Sequence, residues 1–284
     1  MGNDMIQVAG RPFSLASTTD FGRVERAILQ QMLDSSEWFS YSSMNELRFE
    51  LNVRINIMES AKEMNASQVT FTIFEHASCN PEYWTLTSTG GFLVRSDVRP
   101  SDAILDIYRN GTLYGFECAT AIIIIYYQAI LKSIGQLRFD SIFQHLYLYS
   151  WHTHPGLELH TFHADRFLPG DVVYFNNPDF HPDTPWFRGE NAVVLSDGTF
   201  FGHGFGIMTA EQMIQSLNSY RFPGSMQPAY LANLITRISP LTIRNLLTLQ
   251  SDRTTYHYSK AVIHHNLCSI SSMDYQYYLL SLNG

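Results

Sequence analysis

The stretch that most limits the fold runs from Phe116-Glu117-Cys118-Ala119-Thr120-Ala121 through Ile122, Ile123, Ile124 and Ile125 to Leu131. It is apolar on every side, and a helix of that kind belongs inside a core rather than on a surface. Gly115 before it and Gly135 after it are start and stop signals. The run is too short to cross a bilayer and contains Gln128. The rest of the chain must therefore cover this helix. The same stretch puts Cys118 in the first turn, where free N–H groups and the helix dipole favour an anion. That position lowers a thiol pKa, and the thiolate is the reactive form. The carboxylate of Glu117 pulls the other way. Most free cysteines are buried and inert, so the reading of Cys118 as a nucleophile depends on its partners.

Upstream, Thr19-Asp20 reads as the cap of a helix over about 21–33, with Val24, Ile28, Leu29 and Met32 inward. Ser43-Met44-Asn45-Glu46 fits a capping box, and Leu47, Leu51, Ile55 and Met58 follow at helical spacing. Residues 69–74 alternate as a strand does. Residues 83–87 and 92–94 form a hairpin through Gly90-Gly91. Pro100-Ser101-Asp102 opens a short helix ending near Asn110-Gly111. Beyond the apolar helix the pattern is mostly strand, over 146–151, 171–175, 191–195 and 199–207, separated by turn signals such as Asp197-Gly198. Thr209-Ala210-Glu211-Gln212 caps another helix, with Met213, Ile214 and Leu217 inward, and a last helical stretch covers roughly 228–248. A buried helix packed on antiparallel strands is an α+β arrangement.

Domain organisation follows from the same pattern. The expected division is one domain over 1–250 and a C-terminal appendage over 251–284, which has many tyrosines and no clear period.

Two constellations carry chemistry. Glu190 starts one strand and His203 lies in the next, joined through Asp197-Gly198, so the two are expected near each other across a hairpin. With Cys118 they supply nucleophile, base and orienter. The bland alternative is an Arg188–Glu190 turn ion pair and a satisfied strand histidine. The second constellation is His152-Thr153-His154-Pro155 with His160, His163 and Asp165. It resembles the zinc site of the JAMM metallopeptidases, but the serine and aspartate positions of that pattern fall on His163 and Arg166. A polar surface loop is the expectation there, with no metal.

Composition excludes several classes. The net charge of −8 is spread without basic runs, which argues against nucleic acid. The N-terminus has no apolar core of a signal peptide, so no leader is expected. The three cysteines, Cys79, Cys118 and Cys268, are scattered and make no disulfide framework, as in a reducing cytoplasm.

The run from Tyr114 to Tyr127 resembles the transglutaminases of spore-forming bacilli, the protein-glutamine γ-glutamyltransferases. So do Glu46-Leu47-Arg48-Phe49-Glu50-Leu51, Arg54-Ile55-Asn56-Ile57, residues 171–175, Arg188-Gly189-Glu190-Asn191 and Gly202-His203-Gly204-Phe205-Gly206. The likeness spans roughly residues 5–248. It implies a papain-like core of the NlpC/P60 type, a catalytic helix packed on a small barrel-like antiparallel sheet with extra N- and C-terminal helices. It implies Cys118 as nucleophile, Glu190 as the main catalytic glutamate, Glu117 as its partial substitute and His203 as the histidine. It implies a substrate tunnel with Trp151 and Trp186, the latter set off from Arg188 by Phe187. No calcium or other cofactor is implied. The expected reaction joins protein Gln and Lys side chains through a Cys thioester into ε-(γ-glutamyl)-lysine links. The implied substrates are spore-coat proteins, and the implied location is the mother-cell cytoplasm and spore coat, with no membrane partner. The nearest rival is a cysteine amidase or peptidase on the same core; a zinc peptidase and a catalytically idle coat component are the others.

Overall fold

The computed structural model describes residues 5–15 and 20–248. At its centre is the apolar helix, Cys118–Ile134, whose residues 118–131 are all buried. Gly135 ends it at φ +78°, a left-handed position that glycine adopts without strain. The long helix Met44–Ala66 packs along it, burying Leu47, Leu51, Val53, Ile57, Met58 and Met64. Ser43 caps this helix by accepting from the Glu46 N–H at 3.2 Å. The expected reciprocal box is only half formed. The Glu46 carboxylate reaches one residue further back, to Ser42, and also receives Arg244 Nε at 2.6 Å.

The other face of the central helix meets a six-stranded antiparallel sheet. Its order is Gly206–Met208, Phe200–Gly202, Gly189–Val194, Val172–Asn176, Tyr230–Ile238, Leu159–His163. The strand Gly189–Val194 is buried along its whole length. Smaller pieces complete the body. Trp84–Leu86 and Phe92–Val94 form the expected hairpin, joined by Tyr147–Leu148. Thr70–Phe71 runs parallel to Gly115–Phe116 and so leads directly into the central helix. Ile6–Val8 lies between Arg11–Pro12 and Phe39–Tyr41.

One buried charge network ties these layers together. Asp171, fully buried at the start of its strand, receives Arg54 Nη1 from the long helix at 2.8 Å. It also receives Arg237 Nε at 2.6 Å and Nη2 at 2.8 Å from the neighbouring strand. Burial alone raises a carboxyl pKa, but the two guanidinium groups outweigh it and hold Asp171 below the usual carboxylate range.

Several expectations are corrected. The first helix is Arg23–Asp34, capped at Gly22, whose N–H is received by Glu25; Thr19 lies outside the described residues. The strand expected over 69–74 is limited to Thr70–Phe71, because residues 74–76 turn into a 3-10 helix. The helical stretch expected over 228–248 is a nine-residue strand, Tyr230–Ile238, then a helix, Pro240–Thr248, started by a proline that suits a first helical position. The loop expected at 152–165 includes an edge strand, Leu159–His163. The strand expected over 199–207 is two strands with a turn at 203–205, so His203 is a turn residue. The appendage proposed for 251–284, with Cys268, lies outside the described residues. No helix of the described residues is long and apolar enough to cross a membrane.

Candidate active site

The site is built where the central helix begins. Glu117 is the N-cap, with extended backbone, and Cys118 is the first helical residue. The Glu117 carboxylate accepts from the N–H groups of Ala119 at 2.6 Å and Thr120 at 2.7 Å, and from Thr120 Oγ1 at 2.8 Å. It therefore satisfies first-turn donors that an apolar, buried helix end cannot give to water. Thr120 Oγ1 in turn accepts from Ser150 N–H at 2.9 Å, which brings Trp151 alongside the first turn. Trp151 is buried, and its indole N–H has no acceptor among the described residues.

The strand Gly189–Val194 supplies the opposite wall. Glu190 and Asn191 are both buried. Asn191 Nδ2 donates to Cys118 Sγ at 3.4 Å. The Glu190 carboxylate accepts the Gly204 N–H at 3.2 Å, and the His203 N–H also bonds it. A Cβ on Gly202 would lie 2.7 Å from Glu190 Cγ, and one on Gly204 would lie 3.1 Å from Oε2. The two glycines thus form a cradle that only hydrogen side chains leave open for this carboxyl.

His203 faces elsewhere. Its Nε2 donates to the Phe116 carbonyl at 3.1 Å, and its ring stacks on Phe116 at 4.8 Å between centroids. The Glu190 carboxyl is held by backbone N–H groups of the 203–204 turn and not by the imidazole. The ring of Phe71 meets His203 edge-on at 5.9 Å and stacks with Phe187 at 6.1 Å. Phe187 in turn stacks on Tyr220 at 3.6 Å and packs on Trp186 at 6.2 Å. Trp186, half-buried, reaches this aromatic set through Phe187, the residue that separates it from Arg188.

The electrostatics differ from what a helix N-terminus alone predicts. Burial pushes the Cys118 thiol well above its ordinary value, and the charges of Glu190 and Glu117 push it further. Hydrogen bonds from Asn191 oppose them. The helix end does not rescue the thiolate because Glu117 already occupies its N–H groups. Burial raises Glu117, against the pull of its own hydrogen bonds from Ala119, Thr120 and Cys118. Glu190 is pushed up to about 8 by burial, with Glu117 adding and the Gly204 amide opposing. Burial lowers His203 to about 4, so its ring is neutral near pH 7.

The structure thus gathers Cys118, Glu117, Glu190 and Asn191 at one point. His203 stands behind Phe116, Trp151 beside the helix start, and Trp186 in the adjoining aromatic set. In the sequence Asn191 stands only within Arg188-Gly189-Glu190-Asn191, and its residue type carries no signal of its own. The histidines of 152–163 have other partners: His152 meets the Tyr147 ring edge-on, His154 Nδ1 accepts the Gly156 N–H, His160 approaches Glu158, and His163 bonds Asn233. Among the described residues no group of three His, Cys, Asp or Glu is placed to hold a metal ion.

Residues 5–247 match the family model described as protein-glutamine gamma-glutamyltransferase. The chain is 42% identical over 227 residues to the protein-glutamine gamma-glutamyltransferase of Bacillus mycoides, which covers 80% of this chain and 82% of that one. It is 38% identical over 245 residues to that of Bacillus pumilus, covering 85% and 99%. Among solved structures it is similar to the transglutaminase from Geobacillus stearothermophilus without its C-terminal extension. There the TM-score is 0.69 and the identity 43%, over 72% of this chain and 98% of that chain. The α+β core, with its cysteine helix on an antiparallel sheet, is of the papain-like kind, as expected. The fold, the cysteine at the head of the buried helix and these similarities agree, and the chain belongs to the protein-glutamine gamma-glutamyltransferase family, enzymes that transfer the acyl group of a glutamine side chain to an amine.

Proposed function

We propose that this chain cross-links proteins with Cys118 as nucleophile and Glu190 as proton carrier, and that its substrates are spore-coat proteins. The observation that carries the reading is the Glu190 carboxyl: buried, cradled by two glycines, electrostatically coupled to Cys118, and titrating near neutrality. A group so poised can take and return a proton at the working pH.

In the first half-reaction ionised Glu190 takes the thiol proton and Sγ attacks the γ-carboxamide carbon of a protein glutamine. The C–N bond then breaks, the proton passes from Glu190 to the departing nitrogen, and ammonia leaves a thioester on Cys118. In the second, a neutral lysine amine attacks that carbonyl carbon and gives a proton to Glu190. The C–S bond breaks, the isopeptide forms, and the proton returns to sulfur. Glu117, which accepts a hydrogen bond from Cys118 but has both oxygens engaged by the first helical turn, is a secondary carrier. Neutral His203 acts as a positioning residue that holds the Phe116 carbonyl, and with it the backbone leading into Cys118. Trp151 lines the substrate path, where its indole N–H suits a polar group of the substrate; Trp186 lies further out along the aromatic set. Exclusion of water protects the thioester from hydrolysis. No calcium or other cofactor enters this scheme. The spore-coat substrates, and with them a mother-cell and coat location, rest on the resemblance alone.

The test is incorporation of a labelled primary amine into casein and into spore-coat extract, with and without a chelator. Cys118→Ala should abolish it and Cys79→Ala should not. Full activity in Cys118→Ala, or loss on chelation restored by a metal, would overturn the reading. Release of ammonia that is unaffected by added amine, without incorporation, would identify an amidase instead.

A further inference from the structure

The Cys118 sulfur sits among groups that oppose its ionisation. Glu117 precedes it in the chain, bonds the first helical turn and accepts a hydrogen bond from the Cys118 side chain. Glu190 lies across from it on the strand Gly189–Val194. The imidazole of His203 is turned to the Phe116 carbonyl and is not available as a cationic partner. Among the described residues, the charges acting most strongly on the sulfur are those of Glu190 and Glu117, both carboxyls. One side chain donates to the sulfur from the strand: Asn191, fully buried, with Nδ2 at 3.4 Å from Sγ. The Asn191 backbone also hydrogen-bonds Cys118. Its place is fixed by the sheet, since Asn191 is paired with Tyr174 on one side and the next residue, Ala192, with Gly202 on the other.

We propose that Asn191 is a further catalytic residue, whose side-chain amide and backbone N–H hold the Cys118 sulfur as it gives up its proton and again as it leaves the thioester carbon. This rests on Cys118 being the nucleophile. The choice of a neutral donor has a chemical reason. A cation beside the sulfur would fix a resting thiolate, and Glu190 would then have no thiol proton to take and pass to ammonia. An amide donor lowers the cost of the thiolate while leaving thiol and carboxyl in competition for one proton. Hydrogen bonds to a charged acceptor are also stronger than those to a neutral one, so the contact strengthens as the sulfur ionises.

The experiment is the rate of Cys118 alkylation by iodoacetamide from pH 7 to 12, a range set by a thiol that burial holds well above its ordinary value, with the modified residue identified by mass spectrometry. In Asn191→Ala the midpoint should rise by about one to two pH units, the shift expected for losing a hydrogen bond to a charged group. Asn191→Ser, which keeps a donor, should lie between Ala and wild type. Amine incorporation at neutral pH should fall by about 10- to 100-fold in Ala, by the same shift. A purely structural role would lower the folded fraction without moving the alkylation midpoint. An unmoved midpoint in a folded variant therefore overturns the proposal. Wild-type protein gives a reading if the variants do not fold. The Asn191 side-chain amide signals, observed by nitrogen-15 NMR, should shift with the same midpoint as alkylation, and their failure to shift would equally overturn it. Failure of the underlying reading looks different: activity would survive complete alkylation of Cys118.

Discussion

Replacing Glu190 by Gln separates what this carboxyl does for the chemistry from what it costs the fold. In the folded protein burial pushes it from 4.5 up to about 8, while the Gly204 amide pulls it back and Glu117 adds to the rise. Between those two values the native state keeps a proton that the unfolded chain has released. The native state then binds more protons, so stability falls as pH rises. The contribution is fully present below about 4.5 and is lost as pH passes through about 8. The gap of roughly 3.5 pH units corresponds to on the order of 5 kcal/mol. Glutamine keeps the shape and cannot ionise, so the variant escapes this loss. Urea unfolding of both proteins between pH 4 and 9 checks it. The variant's stability relative to wild type should grow by on the order of 5 kcal/mol toward alkaline pH, which is a Tm difference on the order of 10 °C for a domain of this size. Over the same range amine incorporation should drop by about 10²- to 10⁴-fold, as for loss of a general acid–base group. A variant that is inactive but follows the wild-type stability curve in parallel would show that Glu190 does not titrate as argued. A variant with undiminished turnover would remove it from the mechanism.

Glu117→Gln should lower activity less than Glu190→Gln, because both Glu117 oxygens are held by the helix start; it should also cost about 1 kcal/mol of stability through the weakened cap, read by urea unfolding. The Glu117→Gln, Glu190→Gln double variant should approach the Cys118→Ala background, and single losses that simply multiply would speak against shared duty. Gly202→Ala should displace the Glu190 carboxyl, since its Cβ would fall 2.7 Å from Cγ. A folded Gly202→Ala enzyme with unchanged kcat would refute the cradle.

What was legible in the sequence is what one short segment decides alone. The buried helix needs only its own composition, and Cys118 and Glu117 come with it. The hairpin around Gly90-Gly91 and the helix capped by Thr209 are equally local. What was missed depends on partners far along the chain. In Tyr230–Ile238, Leu231, Leu234, Ile235 and Ile238 fall at helical spacing. In the sheet, the ladder with Val172–Asn176 slips between Val173 and Phe175, so the strand's alternation is interrupted where it would have been read. Leu159–His163 is an edge strand rich in histidine, and an edge need not show an apolar face. The sequence reads as a continuous strand through His203 because nothing in Gly202-His203-Gly204-Phe205-Gly206 marks which glycine turns; the structure puts the positive φ at Gly206. The thiol's electrostatics are hidden from the sequence for a related reason. A helix N-terminus favours an anion only while its N–H groups are unclaimed, and here the residue before the cysteine claims them.

Whether carboxyl or imidazole moves the proton can be argued from the same surroundings. Burial disfavours charge in both, but the two groups carry charge in opposite protonation states, so it drives them in opposite directions. His203 is lowered to about 4 and Glu190 raised to about 8. At pH 7 roughly one imidazole in a thousand would hold a second proton, whereas roughly one Glu190 in ten would be ionised. An imidazole so reluctant to accept a proton cannot draw one from a thiol that burial has made a weaker acid still. The carboxyl is within reach of both of its states. The acylation rate should therefore rise about tenfold per pH unit on the acid side and level off above about 8. Single-turnover ammonia release from a glutamine peptide, measured from pH 5.5 to 9, reads this limb apart from the titration of the acceptor lysine. His203→Gln, which retains a donor for the Phe116 carbonyl, should keep the same limb at a reduced amplitude. A limb that vanished in His203→Gln and persisted in Glu190→Gln would assign the proton to the imidazole and leave the carboxyl a structural group.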